Sequence, residues 1–151
     1  MSGADFALFG RIALAAVLGY GIGFEREFRG KSAGERTFAL VALGAAAFTG
    51  YGVKAFPASA DRIIQGIVAG IGFLGAGLIF RDRGFVHGRT TAASAWSVAA
   101  IGVLCGGGQN VLAILTSVLI VVILEINYLP VVRRFDARRL RRERDPPHPS
   151  G

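Results

Sequence analysis

Charged positions in this chain are clustered, and the stretches between them are long and apolar. Residues 12–24, 37–53, 63–80 and 90–124 hold no Asp, Glu, Lys or Arg, in runs of 13, 17, 18 and 35 residues. Crossing the roughly 30 Å hydrocarbon core of a bilayer takes about 20 apolar helical residues, with about 17–25 the common range. Two runs come close to one crossing each, and the longest has room for two. Gly106-Gly107-Gly108-Gln109-Asn110 divides it, because glycine and asparagine tolerate the positive φ of a tight turn. The pattern predicts an all-α, polytopic membrane helix bundle of about five transmembrane helices, over residues 6–24, 37–53, 63–80, 90–105 and 111–126. Residues 1–130 form the bundle in this reading, and 131–151 form a basic tail with a Pro-rich, disordered end. Arg11 interrupts the first span and is expected to snorkel towards the headgroups. The opening Met-Ser-Gly-Ala-Asp has neither a cationic stretch nor a cleavage site after it, so no signal peptide is expected.

Composition agrees with this class. The chain is 52% apolar and only 18% charged, with 22 glycines in 151 residues, whereas a soluble domain is about a quarter charged and about 7% glycine. A single cysteine, Cys105, excludes a disulfide scaffold or a thiolate metal cluster. The net charge of +7 is placed rather than spread. With five helices, loop 25–36, loop 81–89 and the segment after Pro130 share one side and carry 14 of the 17 Lys and Arg residues. Only Arg11, Lys54 and Arg62 belong to the other side. Positive loops stay in the cytoplasm, so the N-terminus is expected outside and the C-terminus cytoplasmic. The basic tail then lies on anionic lipid, at about 1 kcal/mol per Lys or Arg near the surface. With no aromatic platform or recognised motif around it, it is not expected to bind nucleic acid.

Glycine is concentrated in particular helices. Gly66, Gly70, Gly72, Gly75 and Gly77 crowd the third segment, and Gly19 and Gly23 repeat the small-xxx-small spacing on the first. Such residues let helix backbones approach closely in lipid. Together with the Ala- and Ser-rich fourth segment, they predict an inner bundle of helices one, three and four, with the bulky fifth outside. Gly70-Ile71-Gly72-Phe73-Leu74-Gly75 matches a dinucleotide fingerprint, but it sits inside an uncharged run with Ala at position 95, so the match is discounted. The polar candidates lie at helix ends: Glu25 and Arg26, Arg36 and Thr37, Arg81 and Asp82, Arg89 with Thr90 and Thr91, and Glu125. Thr90 or Thr91 is a candidate helix cap. These groups read either as interfacial anchors or as a charged cluster at the inner mouth of the bundle. Trp96, mid-helix, is expected to pack inside. His87 and His148 have no partner at ligand spacing, and no nucleophile–base pair or phosphate loop is visible. No enzymatic activity, cofactor or metal site is expected.

Three ordered motifs carry a resemblance. Gly23-Phe24-Glu25-Arg26 with Gly34-Glu35-Arg36-Thr37, then Asp61-Arg62-Ile63-Ile64-Gln65-Gly66 through Gly77, then Gly88-Arg89-Thr90-Thr91 through Trp96, resemble the signatures of the MgtC/SapB family. The resemblance covers about residues 10–125. It implies five transmembrane helices in a bacterial inner membrane and a role in adaptation to magnesium limitation, acid stress or survival in host cells. It further implies a small membrane regulator, in some members acting on the membrane ATP synthase, and an older reading as a magnesium-transport accessory. By matching position, Glu25, Arg26, Arg36, Thr37, Asp61, Arg62, Gln65, Thr90, Thr91 and Trp96 are family-motif residues, with no individual roles assigned. Many relatives continue into a soluble cytoplasmic domain, whereas about 21 residues follow Pro130 here, so functions of that domain are not expected to transfer.

Two functions follow. The first is a regulator whose glycine faces pack against a second copy or a larger membrane complex. The second is a magnesium or proton transporter or channel. Mg²⁺ favours hard oxygen ligands, yet no acid lies mid-helix and the inner loops are net positive. A ring of Asp61 or Glu25 in a homo-oligomer is the form a pore would take.

Overall fold

The computed structural model describes residues 3–82 and 85–126. They form five α-helices, α1 (Gly3–Phe28), α2 (Glu35–Ala55), α3 (Ala60–Leu78), α4 (Arg89–Gly106) and α5 (Asn110–Glu125). A 3₁₀ turn, Pro57–Ser59, leads into α3. The chain divides into two compact units, Met1–Ile120 and Val121–Gly151. All packing described below lies within the first; of the second, the structure describes the last residues of α5 and Ile126. The basic tail over 131–151 falls outside the described residues.

By length and composition three helical segments can cross a membrane: Gly3–Phe28, Glu35–Ala55 and Pro57–Leu78. The 18 residues of α4 begin with Arg-Thr-Thr, which dilutes their apolar character, and α5 is apolar but 16 residues long. Between α3 and α4 the expected loop contains a small antiparallel hairpin. Its strands, β1 (Phe80–Asp82) and β2 (Phe85–His87), pair Phe80 with His87, and the two rings stack at 5.5 Å. The third helix therefore ends at Leu78, two residues before the apolar run does.

The core is not the one expected from glycine counting. Helix α2 packs against both α1 and α4, which also touch each other, and the core is mostly small: Ala15, Ala42, Ala45, Ala46, Ala95 and Ala99 are buried together with Phe38, Val98 and Ile101. Close approach explains this. A Cβ built on Gly19 would lie 2.6 Å from the carbonyl oxygen of Phe38, and one on Gly23 would lie 2.5 Å from Cα of Glu35. On α4, a Cβ on Gly102 would run into the Ala42 carbonyl and lie 2.6 Å from the Ala45 methyl, and one on Gly106 would lie 2.5 Å from the Ala46 carbonyl. At these points backbone rests on backbone, which maximises dispersion contact where lipid offers no hydrophobic driving force between helices.

Helix α3 contributes only Gly75 to the buried set. A Cβ built on Gly66, Gly70, Gly72 or Gly77 would meet no atom of the described residues within 4 Å. The inner bundle is thus helices one, two and four, and the expectation for the third is corrected. Its glycines follow the spacing rule, but no backbone lies opposite them.

The same neighbours set the directions. Gly50 lies against Leu8 and Gly19 against Ala42, so α1 and α2 are antiparallel. Gly102 sits by Ala42 to Ala46 and Gly106 by Ala46 to Gly50, so α2 and α4 are parallel. Ile63 touches Gly52 and Gly75 touches Ala92, so α3 runs back between them. The end of α1 and the starts of α2 and α4 therefore share one face. Arg11 lays its guanidinium about 3.1 Å from where a Cβ of Gly108 would be, over the α4–α5 turn that needs the positive φ of Gly108.

Gly102→Val is expected to destabilise the protein by about 2 kcal/mol or more, since overpacking against backbone cannot relax. Gly10→Ala, in open space, should change stability by less than about 1 kcal/mol, with a gain in helix propensity. Unfolding of both variants in detergent micelles, followed by circular dichroism, checks the pair.

Candidate functional site

The polar motif residues separate into two groups. Glu25 and Arg26 end α1, Arg36 and Thr37 open α2, and Thr90 and Thr91 open α4, all on the shared face. Asp61, Arg62 and Gln65 lie exposed at the start of α3, at the opposite end of the bundle. The motif residues are therefore not one cluster.

Within the first group the depths differ. Arg36 and Thr90 are exposed and Thr37 is half-buried, whereas Thr91 is 4% and Arg26 only 2% exposed. Arg26 belongs to the inward stripe of α1, Ala15-Gly19-Ile22-Gly23-Arg26, whose spacing follows the helical period. It is a core position carrying a charge, not an interfacial anchor.

Several features make that burial tolerable. Arg26 Nη1 lies 3.5 Å from Glu25 Oε2, and Arg29 Nε lies 3.6 Å from Glu25 Oε1. Arg26 and Arg29 are also in the last turns of α1, where the carbonyl end of the helix dipole favours cations. Gly30, at φ +65°, closes the helix: Lys31 N–H donates to the Arg26 carbonyl and Gly30 N–H to that of Glu27. This is a Schellman ending, and it needs the left-handed residue. One carboxylate between two guanidiniums leaves the cluster with a net positive charge, and Arg26 Nε has no hydrogen-bond partner.

Beyond the apolar stretches 6–24 and 37–53, Glu27 and Glu35 form a second pair on this face. The hydrogen bond between their side chains holds the Glu27 carboxyl above its ordinary range and Glu35 below.

Helix α4 starts differently from expectation. Gly88, at φ +84°, takes the cap position, and no side chain caps the helix. Neither Thr90 nor Thr91 serves; the Thr90 carbonyl instead accepts the hydroxyl of buried Ser94 at 2.8 Å. Only glycine fits at position 88, because a Cβ there would run into the Leu78 carbonyl. Trp96 is 51% exposed rather than inside the bundle. It borders a groove of about 240 Å³ between α3 and α4, with Ile64, Val68 and Leu104. On the other flank of α3, a larger groove of about 420 Å³ runs between Leu40, Gly44 and Phe48 of α2 and Ile63, Gly66 and Gly70 of α3.

Sequence reading missed Arg29 and the buried hydroxyls of Ser94, Ser117 and Thr49. Arg29 stands four residues from Glu25, a spacing that marks a same-face ion pair. Among the described residues no three His, Cys, Asp or Glu side chains gather as a metal set.

Comparison with known proteins decides the family. A model described as "MgtC family" matches residues 12–131, four fifths of the chain. The chain belongs to the MgtC family. It is 45% identical over 134 residues to "Protein MgtC" of Brucella abortus (strain 2308), an alignment covering 87% of this chain and 55% of that protein. It is 48% identical over 132 residues to "Protein MgtC" of Salmonella paratyphi A, covering 82% and 57%. Against "Protein MgtC" of Salmonella typhimurium (strain 14028s) it is 49% identical over 125 residues, covering 78% and 54%. The chain thus spans little more than half the length of these MgtC relatives. No solved structure matches it significantly. Family membership and three helices of membrane-crossing length make this an MgtC-type membrane protein.

Glu25→Gln is expected to cost about 3 kcal/mol, because it leaves the buried Arg26 charge without its carboxylate. Glu25→Gln combined with Arg26→Met should recover much of that loss. A double-mutant cycle of unfolding free energies in micelles reads the coupling, and equal losses in the single and double variants would disprove it.

Proposed function

We propose that this chain is a non-enzymatic, multi-pass regulator of the bacterial inner membrane, with its N-terminus outside and its C-terminus in the cytoplasm. It acts by packing α3 against a second copy of itself or a larger membrane complex. The observation that carries this reading is the bare state of α3: Gly66, Gly70 and Gly77 fall on one face of the helix, where an added Cβ would meet no atom of the described residues within 4 Å, and Phe73 is 87% exposed. Glycine in a helix costs about 1 kcal/mol relative to alanine, and here no intramolecular contact offsets it. A partner helix drawn close to that face would supply the offset.

The role in this reading is adaptation to magnesium limitation, acid stress or survival in host cells, which the family resemblance implies. The ATP synthase is the complex that the family resemblance puts forward as a partner. The basic tail 131–151, beyond the described residues, acts in this reading as an anchor on anionic lipid.

Gly66→Leu and Gly77→Leu should insert and fold normally, since open space faces both positions, yet abolish photo-crosslinking from α3 to a partner in the membrane. They should also remove the protein's effect on growth in low magnesium. Undiminished crosslinking in both variants would sink the reading.

A further inference from the structure

The β1–β2 hairpin is held close to a membrane boundary at both ends. Its first strand begins at Phe80, two residues past the end of α3 at Leu78, and its second ends at His87, two residues before α4 opens at Arg89. Helix α3 rises about 28 Å along its 19 residues, close to the roughly 30 Å of hydrocarbon in a bilayer. Exposed Asp61 and Arg62 mark one boundary at its start, so Phe80 begins at the other. Each strand has three residues and spans about 10 Å, against roughly 6 Å of headgroup layer on each side. Even upright, the hairpin scarcely clears the interface.

Its two faces differ. Side chains alternate along a strand and match across a pair. With Phe80 opposite His87 and Arg81 opposite Val86, Phe80, Phe85 and His87 share one face, and Arg81 and Val86 the other. The aromatic face is uncovered, with Phe80 53% and Phe85 73% exposed. A lone two-stranded hairpin is marginal in water unless a third strand or a packed face supports it. Among the described residues no third strand joins the sheet, so a cover for the rings comes from outside the chain.

Depth and chemistry select that cover. A protein partner would have to enter the interfacial layer to reach these rings, whereas lipid already fills it. Paired strands suit the layer, because their backbone groups bond one another where water is scarce. Interfacial elements bury an apolar face about 5–10 Å into the boundary of headgroups and acyl chains, and exposed Arg81 and Arg89 have stems long enough to return their charges to the headgroups.

We propose that the hairpin lies in the bilayer interface on the basic side of the protein, with Phe80 and Phe85 entering the acyl boundary and Arg81 turned to water. The bilayer surface is its partner, and aromatic burial holds it there, so no particular headgroup is required. Nothing in this arrangement depends on what packs against α3.

Nitroxide labels test it, attached through Phe85→Cys or Arg81→Cys in full chains carrying Cys105→Ala and reconstituted in vesicles of phosphatidylcholine, with and without phosphatidylglycerol. Collisions are measured with oxygen, which concentrates in lipid, and with a water-soluble nickel chelate. The label at 85 is expected to meet oxygen several-fold more often than nickel, and the label at 81 the reverse, in both vesicle types. The same labels in chains that keep the buried Cys105 guard against a fold lost to its replacement. Equal nickel access at 85 and 81 overturns the proposal, because the hairpin then stands in water. Shielding of 85 from both reagents also overturns it, and assigns the aromatic face to a protein contact.

Discussion

Backbone-to-backbone approach among α1, α2 and α4 is the constraint on which everything else in this structure depends. Helices with ordinary side chains between them pack about 8–10 Å apart. At Gly19, Gly23, Gly102 and Gly106 nothing stands between one helix and the backbone of α2. In lipid, where burying a leucine against another leucine gains little over burying it in acyl chains, such contacts and the density they permit are the main cohesive terms available. The alanine-rich stripe of α2 follows from the same requirement, because a larger side chain at Ala42 or Ala46 would separate the helices that the glycines bring together.

The charged cluster is a product of this packing. Gly23 draws the end of α1 onto the start of α2, and the next turn of the inward stripe is Arg26. A guanidinium would not be held 98% out of contact with solvent at a loosely packed helix end, where it would turn outwards. Its burial is sustained by Glu25, by Arg29 sharing that carboxylate, and by the carbonyl end of α1. At this helix end backbone geometry and charge thus depend on one another. Gly30 and Gly88, both left-handed, set the turns that bring the helix ends to this face.

Much of this was legible in the residues. Long uncharged runs located five helices to within a few positions, and the glycine triplet after Cys105 marked the turn between the last two. The arrangement of the helices was harder to read. Glycine spacing on α3 resembles that on α1, and nothing within either segment says whether a backbone lies opposite; that depends on which helix arrives there. Helix α2, with few glycines, offered alanines instead, a weaker signal for the centre of a bundle. The hairpin at Phe80–His87 is too short for periodicity to reveal. Arg26, by contrast, was within reach: its distance from Gly19 and Gly23 places it on their face, but its charge suggests the surface.

The parallel alignment of α2 and α4 has a consequence for the helix between them. Two neighbouring helices that point the same way cannot be joined by a short turn, so the chain must travel back across the whole thickness before the second can begin. In a bilayer that return can be made only by a segment that satisfies its own backbone hydrogen bonds, which means another helix. Helix α3 is that return stroke. Connectivity demands its length and its apolar character, but the core asks almost nothing of its surface beyond Gly75. A segment compelled to exist yet exempt from core packing is free to vary its outer face, and there a compact bundle of this size has room to acquire a surface suited to its surroundings.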